Sequence, residues 1–402
     1  MGKSQDSRLL ISIAKLRHDT KMKNANDRLH SLDALRGIAA LGVAMFWHYN
    51  HFFDVKDHSQ LPFYQVFGWF YDYAYNLVDF FFVLSGYVFM RTYGERIASG
   101  RVSFAQYAVN RFSRLYPLHA LTLLVVAAQV SWMQINGTSF VYNENDFIHF
   151  VLNVFLLQSG WFDASKTFNG PAWSIACEVI VYLLFFAALH RLKRPMVYNI
   201  AILCMFYIGL AICYRGGEFY ILNSNTARAL MGFFWGALLY QATRKMEPRS
   251  IGAHIFLLIA VAAAAYCAFM SHELGFRQFF GSFELSFPLV VYPAIIVLAT
   301  TNRTISAALS IWPMRVLGSL SFSIYLWHYP IQTFLHFFFE RRGTQPGSTQ
   351  AWLLYLACVL VAASASYHWF ERPMQNAIRR RFVIAKPLDV NQTDPKAETI
   401  TV

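Results

Sequence analysis

The feature that most constrains this chain is a recurring apolar run of about 20 residues, the charges being gathered into short stretches between such runs. About 20 helical residues cross the roughly 30 Å of a bilayer's hydrocarbon core, so each run is a candidate membrane span. Composition agrees: 56% of the 402 residues are hydrophobic and only 14% are charged, against about a quarter in a soluble domain. The expected fold class is therefore all-α, a polytopic transmembrane helix bundle. Ten spans are read, at 33–53, 69–90, 115–133, 171–190, 197–213, 228–243, 253–271, 284–301, 315–338 and 351–370.

The charges set the expected topology. Residues 1–30 form a polar, basic leader (Lys3, Arg8, Lys15, Arg17, Lys21, Lys23, Arg28) with no cleavable-signal pattern, which argues for a cytoplasmic N-terminus. Counting from there, the cytoplasmic loops carry Arg91, Arg96, Arg101, Arg111 and Arg114; Arg191, Lys193 and Arg194; Arg244, Lys245 and Arg249; and Arg303 and Arg315. Arg341 and Arg342 are the main exception, in an outer loop. The expected domains are the leader, a transmembrane domain over 31–375, and a cytoplasmic tail over 376–402 that is basic and then disordered. The segment 147–163 is apolar enough to be weighed as a span, but counting it would put Arg191, Lys193 and Arg194 outside. A re-entrant or interfacial helix is expected instead.

The net charge of +12 follows this loop pattern. No basic stretch interleaved with aromatics occurs in a soluble segment, so nucleic acid is not an expected partner. The five cysteines (Cys177, Cys204, Cys213, Cys267 and Cys358) lie in apolar stretches without metal-ligand spacing, so no metal is expected.

A charged side chain near the bilayer centre costs at least about 2.5–3.5 kcal/mol on insertion scales, so those that persist are candidates for function. Asp33 and Arg36 open the first span three residues apart, able to pair either as a surface cap or within a site. His48 stands twelve residues beyond Arg36, about 18 Å along the helix. Inter-helix hydrogen bonding and general-base chemistry both suit it. Asp79, in NLVDFFFVLSGYVFM, needs an Arg or His from a neighbouring helix. Arg111 and Arg114, in NRFSRLYPLH, share a helix face on which both could meet one anion, or they serve as membrane anchors. Glu178 lies about seven residues into a span, in NGPAWSIACEVIVYLLFF. Tyr325 and His328 lie deep in LSFSIYLWHYPI, with Pro330 bending the helix.

In their order, the segments LDALRGIAALGV, VDFFFVLSGYVF, RFSRLYPLH, NGPAWSIACE, SFSIYLWHYPI and FERP resemble the bacterial acyltransferase family three of integral membrane proteins, over residues 31–373. The chain is similar to shorter stand-alone members that O-acetylate exopolysaccharides, nodulation factors or O-antigen. The resemblance implies a catalytic histidine at His48 with Arg36 as its partner. It also implies a role in handling acyl-CoA for Arg111 and Arg114, and an acidic site residue at Glu178.

Two departures stand out. The family places ten residues between the arginine and the histidine; this chain has eleven, and Trp47 occupies the usual histidine position. At about 100° per residue, twelve steps turn His48 away from Arg36 by roughly 120°. A π-bulge in the first span would restore the phase; otherwise His51 is the alternative. The usual second acid after Glu178 is replaced by Val179.

The implied function is O-acyl transfer, with acetyl the expected group, from cytoplasmic acyl-CoA to a hydroxyl of a cell-surface or lipid-linked carbohydrate. It would take place in the bacterial inner membrane, with His48 as general base or transient acyl acceptor. A thioester is already activated, so acyl-CoA is expected as co-substrate and no bound cofactor is required. The alternative is a transporter or flippase of a polar or lipid-linked glycan. No clear inverted repeat and no pair of matching broken helices appear in the sequence to support it.

Overall fold

Helices occupy nine of the ten expected span positions among the residues that the computed structural model describes. These residues are 30–53, 57–136, 144–161, 166–215, 222–246, 285–342 and 348–382, with isolated positions 55, 142, 255, 258 and 262. The expected span at 253–271, the leader before residue 30 and the tail beyond 382 lie outside them, apart from those isolated positions.

In chain order the helices are α1 (30–53), α2 (Tyr64–Tyr73), α3 (Leu77–Ala98), α4 (Phe104–Ile135), α5 (Phe147–Val154), α6 (Trp173–Leu192) and α7 (Pro195–Arg215). There follow α8 (Ser224–Thr243), α9 (Phe287–Thr301), α10 (Arg303–Leu309), α11 (Trp312–Arg342), α12 (Thr349–Ser366) and α13 (Arg372–Phe382). No strand occurs among the described residues.

Five segments are by themselves long and apolar enough to cross a bilayer: Tyr64–Ala98, Phe104–Ile135, Gly170–Leu192, Pro195–Arg215 and Thr349–Phe382. The α9–α10 pair, bent by 93°, makes a sixth. At the bend Asn302 caps α10, its side chain accepting from the Thr304 and Ile305 N–H groups. Helices α1, α8 and α11 are not in this set. They carry Arg36, Arg228, and Tyr325 with His328, and they deliver those polar groups to the interior of the bundle.

Over its described residues, 147–161, the segment expected to be re-entrant or interfacial does not form a span. Helix α5 has eight residues, about 12 Å by its rise. The chain then turns through Leu156, Ser159 and Gly160, all at positive φ. Phe147, Ile148 and Phe155 point outward, while buried Asn153 holds the segment down. His119 Nε2 pairs with the Asn153 carbonyl at 2.8 Å, and the Asn153 amide donates to Thr167 Oγ1 at 2.7 Å.

Helix α3 is buried along most of its length and crosses α8 on glycines. A Cβ on Gly86 would overlap the Phe233 carbonyl, and one on Gly236 would overlap that of Val83. In a bilayer, where lipid tails are as apolar as Leu, such close backbone approach is a main source of helix association. Gly86→Leu is therefore expected to separate α3 from α8 and lower the yield of folded protein sharply. Size-exclusion profiles of the detergent-solubilised variant check this, and a wild-type profile would refute the close-crossing account.

Helices α1 and α11 run parallel. Gly37 abuts the Leu317 backbone, Gly318 abuts that of Asp33, and further along both helices His48 meets His328. Helix α12 packs on the other side of α1 through Tyr49, Trp352 and Tyr355.

Candidate active site

The π-bulge raised by the sequence spacing is present. Helix α1 changes from α to π over Gly42–Trp47, and the His48 N–H bonds to the Val43 carbonyl five residues back. The π turn absorbs the additional residue, so the twelve positions from Arg36 to His48 advance as about eleven α steps, roughly 20° from a common face. Carbonyls displaced from their regular partners in such a turn need other donors. Helix α12 supplies them: Tyr355 OH donates to the Ala44 carbonyl and Trp352 Nε1 to the Met45 carbonyl, both at 2.9 Å. Tyr355→Phe removes one donor, costing about 1 kcal/mol of stability. Its larger expected effect is on activity, because a site displaced by about 1 Å can lose roughly 10²-fold in rate. A kcat that falls by at least about tenfold with little change in Tm is the expected pattern, and wild-type kcat would remove the π turn from the site's design.

His48 Nδ1 lies 2.6 Å from His328 Nε2. The rings are 9° from coplanar with centroids 4.8 Å apart, so the bond runs edge to edge in the ring planes. His328 Nδ1 lies 2.6 Å from the Tyr325 carbonyl. A carbonyl only accepts, so His328 carries its proton on Nδ1 and its Nε2 is an acceptor in the neutral ring. His48 must then donate from Nδ1, which leaves its Nε2 lone pair available; no hydrogen bond to that atom occurs among the described residues. Carbonyl, His328 and His48 thus fix a tautomer that presents one basic nitrogen. His51 does not take this place. It is exposed, and its ring stacks on Trp47 at 5.6 Å.

Helix α11 is shaped around His328 by Pro330, which cannot donate to the Leu326 carbonyl four residues back. Buried Asn169 does so instead, at 3.2 Å, and Gln129 donates to the Pro330 carbonyl at 2.8 Å. Tyr325 OH donates to the Pro171 carbonyl at 3.0 Å and lies 3.1 Å from Ser174 Oγ. The Gly170–Ala172 turn before α6 is thereby locked to the histidine-bearing helix.

Glu178 is in the interior but does not touch His48. Its carboxylate accepts from Tyr182 OH at 2.8 Å and from Ser85 Oγ at 3.3 Å, and it lies within electrostatic reach of Arg36 and Arg111. Arg36 donates to Asp33 at 2.7 Å, the pair expected from their spacing. Histidine orientation therefore comes from His328 and the Tyr325 carbonyl rather than from Glu178.

Arg111 and Arg114 are unequal. Arg114 Nη1 pairs with Glu371 at 2.6 Å, and the other Glu371 oxygen accepts from Ser323 at 2.5 Å. Arg111 lies over the Phe89 and Tyr93 rings at 4.7 and 5.2 Å and donates to Tyr93 OH, with its buried Nε unbonded. A third guanidinium joins them. Arg379 of α13 donates to Ser113 Oγ at 3.3 Å and feels the charge of both arginines. Glu371 stands in the quoted FERP segment, but nothing in the sequence tied it to Arg114, and Arg379 lies in the tail that the sequence marked only as basic.

Asp79 meets Arg228 of α8 in a two-pronged ion pair at 2.9 and 3.0 Å. The Arg228 guanidinium also sits 5.3 Å from the Trp173 ring centre. This supplies the partner that Asp79 required, as a structural pair apart from the histidines. Beyond His48 on α1, Asn50 contacts His58 Nε2 at 3.3 Å, His58 Nδ1 pairs with Asp72 at 2.8 Å, and Tyr64 OH donates to Asp72 at 2.6 Å. That network joins α1, α2 and the loop between them. Among the described residues, no group of three or more His, Cys, Asp or Glu side chains could hold a metal.

A family model described as an acyltransferase domain matches residues 29–368. A putative peptidoglycan O-acetyltransferase, YrhL of Bacillus subtilis, is 23% identical over 343 residues, covering 76% of this chain and 51% of the relative. The peptidoglycan O-acetyltransferase OatA of Listeria monocytogenes is 26% identical, covering 74% of this chain and 51% of the relative. Protein 2 in picA locus of Rhizobium radiobacter is 30% identical over 169 residues, 39% of this chain and 79% of the relative. The chain thus spans about half the length of the two peptidoglycan O-acetyltransferases. No solved structure matches.

Proposed function

This chain belongs to acyltransferase family three, and from that premise we propose that it is a membrane O-acyltransferase that moves an acetyl group from acyl-CoA to a carbohydrate hydroxyl. The observation that carries the reading is the His48–His328 pair, which leaves His48 Nε2 a base with no hydrogen bond among the described residues. The O-acetyltransferase names of the relatives support the reaction class and a glycan acceptor. The chain would cross the bacterial inner membrane ten times with both ends in the cytoplasm, a layout supported by the loop arginines.

In the proposed reaction the acceptor hydroxyl donates a hydrogen bond to His48 Nε2. As its oxygen attacks the thioester carbonyl, the proton passes to Nε2, and the resulting imidazolium is stabilised through its Nδ1–H bond to His328. Collapse of the tetrahedral intermediate breaks the C–S bond, and the proton on Nε2 is returned to the departing thiolate. The donor's phosphates would rest at the arginine-rich end, where Arg111 and Arg114 stand. Glu178, held by Tyr182 and Ser85, is suited to binding a hydroxyl of the sugar or setting the field between the arginines and the histidines.

Mass spectrometry of surface glycans tests this in the cell. A deletion strain is expected to lose an acetyl increment of about 42 Da, restored by the wild-type gene and not by one encoding His48→Ala. Unchanged glycans in the deletion strain would contradict the proposal.

A further inference from the structure

The arginine-rich end carries more positive charge than its buried partners neutralise. Arg111, Arg114 and Arg379 come together there, and Arg114 alone is paired with a carboxylate, that of Glu371. Neither Arg111 nor Arg379 forms an ion pair among the described residues. Arg111 Nε is buried and has no hydrogen-bond partner among the described residues.

Two links hold α13 in place beside α4. Glu371, just before α13, takes Arg114, and Arg379, two turns into α13, takes Ser113. The second link is a neutral hydroxyl that engages only Nε, so it leaves the terminal guanidinium nitrogens of Arg379 for another acceptor. Clustered guanidiniums repel one another, and three of them beside one paired carboxylate, Glu371, with Glu178 reaching Arg111 only at a distance, are matched to an anion with several oxygens.

We propose that Arg379 is the third arm of a phosphate site with Arg111 and Arg114, and that it takes the 3′-phosphate of the acyl-CoA donor. The proposal rests on the acyl-CoA reading above. Arg111 is the deeper member, packed on Phe89 and Tyr93 within the bundle, and Arg379 is on the last described helix at the rim. A donor whose thioester points inward to His48 presents its pyrophosphate to the deeper pair and its ribose 3′-phosphate to the rim. An acidic phospholipid headgroup offers the same phosphate chemistry, so the lipid is a variable of the test.

The test is steady-state acyl transfer by the purified full-length protein in nanodiscs of neutral lipid, with acetyl-CoA or 3′-dephospho-acetyl-CoA as donor. For the wild type, KM is expected to be roughly tenfold or more higher for the dephospho donor, the scale of a lost charge-assisted contact. Arg379→Gln is expected to raise KM for acetyl-CoA by a similar factor, to abolish discrimination between the donors, and to hold kcat within about twofold. Arg379→Met, which keeps an apolar stem against α4, carries the same expectation if R379Q does not fold. Wild-type KM and undiminished discrimination in the variant would overturn the role of Arg379 and leave the donor reading intact. An effect of the substitution seen only in anionic-lipid nanodiscs would assign the cluster to lipid and overturn the proposal. Absence of transfer from either donor by wild-type protein would overturn the underlying reading as well.

Discussion

His48→Ala is expected to lower acyl transfer by about 10²–10⁴-fold, the range typical of a lost general base, while the protein stays folded and inserted. Among the described residues, the His48 ring makes one side-chain hydrogen bond, to His328. The fold around it is held by other groups: the glycine contacts between α1 and α11, and the Tyr355 and Trp352 bonds to the π turn. His328 acts on His48 rather than on substrate, so its variants should differ in kind. His328→Gln can still offer an acceptor oxygen to His48 Nδ1–H and is expected to retain more kcat than His328→Ala. The double variant His48→Ala/His328→Ala should be no slower than His48→Ala alone, because residues that act as a unit are not additive. Equal, independent losses for the two histidines would contradict the ordered chain from Tyr325 carbonyl to His328 to His48.

Arg228→Leu is expected to destabilise the protein by about 3–5 kcal/mol, the cost of leaving a buried charge without its partner. Asp79 is only 3% exposed and receives both guanidinium prongs, so the lone carboxylate would have neither water nor cation to satisfy it. Replacing both members, as Asp79→Leu/Arg228→Met, should recover much of the loss, since well-packed apolar residues often match or exceed a buried pair. Thermal unfolding in detergent or nanodiscs reads this as a steep fall in Tm for the single variant and a partial return for the double one. A single variant with wild-type Tm would show that the pair contributes little.

The positions of the helices were legible because a bilayer imposes one length on every apolar run, so runs near 20 residues mark themselves. The reading of 147–163 as a re-entrant or interfacial helix rather than a span came from charge alone, through Arg191, Lys193 and Arg194, and α5 there has only eight residues. The π turn was legible only as an arithmetical misfit, one residue too many between Arg36 and His48. What makes that turn tolerable was not legible, because Trp352 and Tyr355 lie some 300 positions away along the chain. The same separation hid the pairs that organise the interior. His328 stood out as a buried candidate, but not as the partner of His48; Asp79 called for an Arg or His, but nothing in the sequence singled out Arg228. Arg111 and Arg114 read as twins from their spacing, whereas Glu371 engages one and aromatic rings the other. Spacing along one helix reports a shared face, and neighbours from other helices decide what each residue on that face does.

The most direct measurement of the central claim is transfer by the purified protein in proteoliposomes, with acetyl-CoA labelled on its acetyl carbon supplied on one side and a saccharide acceptor on the other. The expected result is label on the acceptor as an oxygen ester, released by mild alkali, absent without acetyl-CoA and absent with His48→Ala. Saccharide that crosses the membrane unmodified, without any need for acetyl-CoA and undisturbed by His48→Ala, would contradict it.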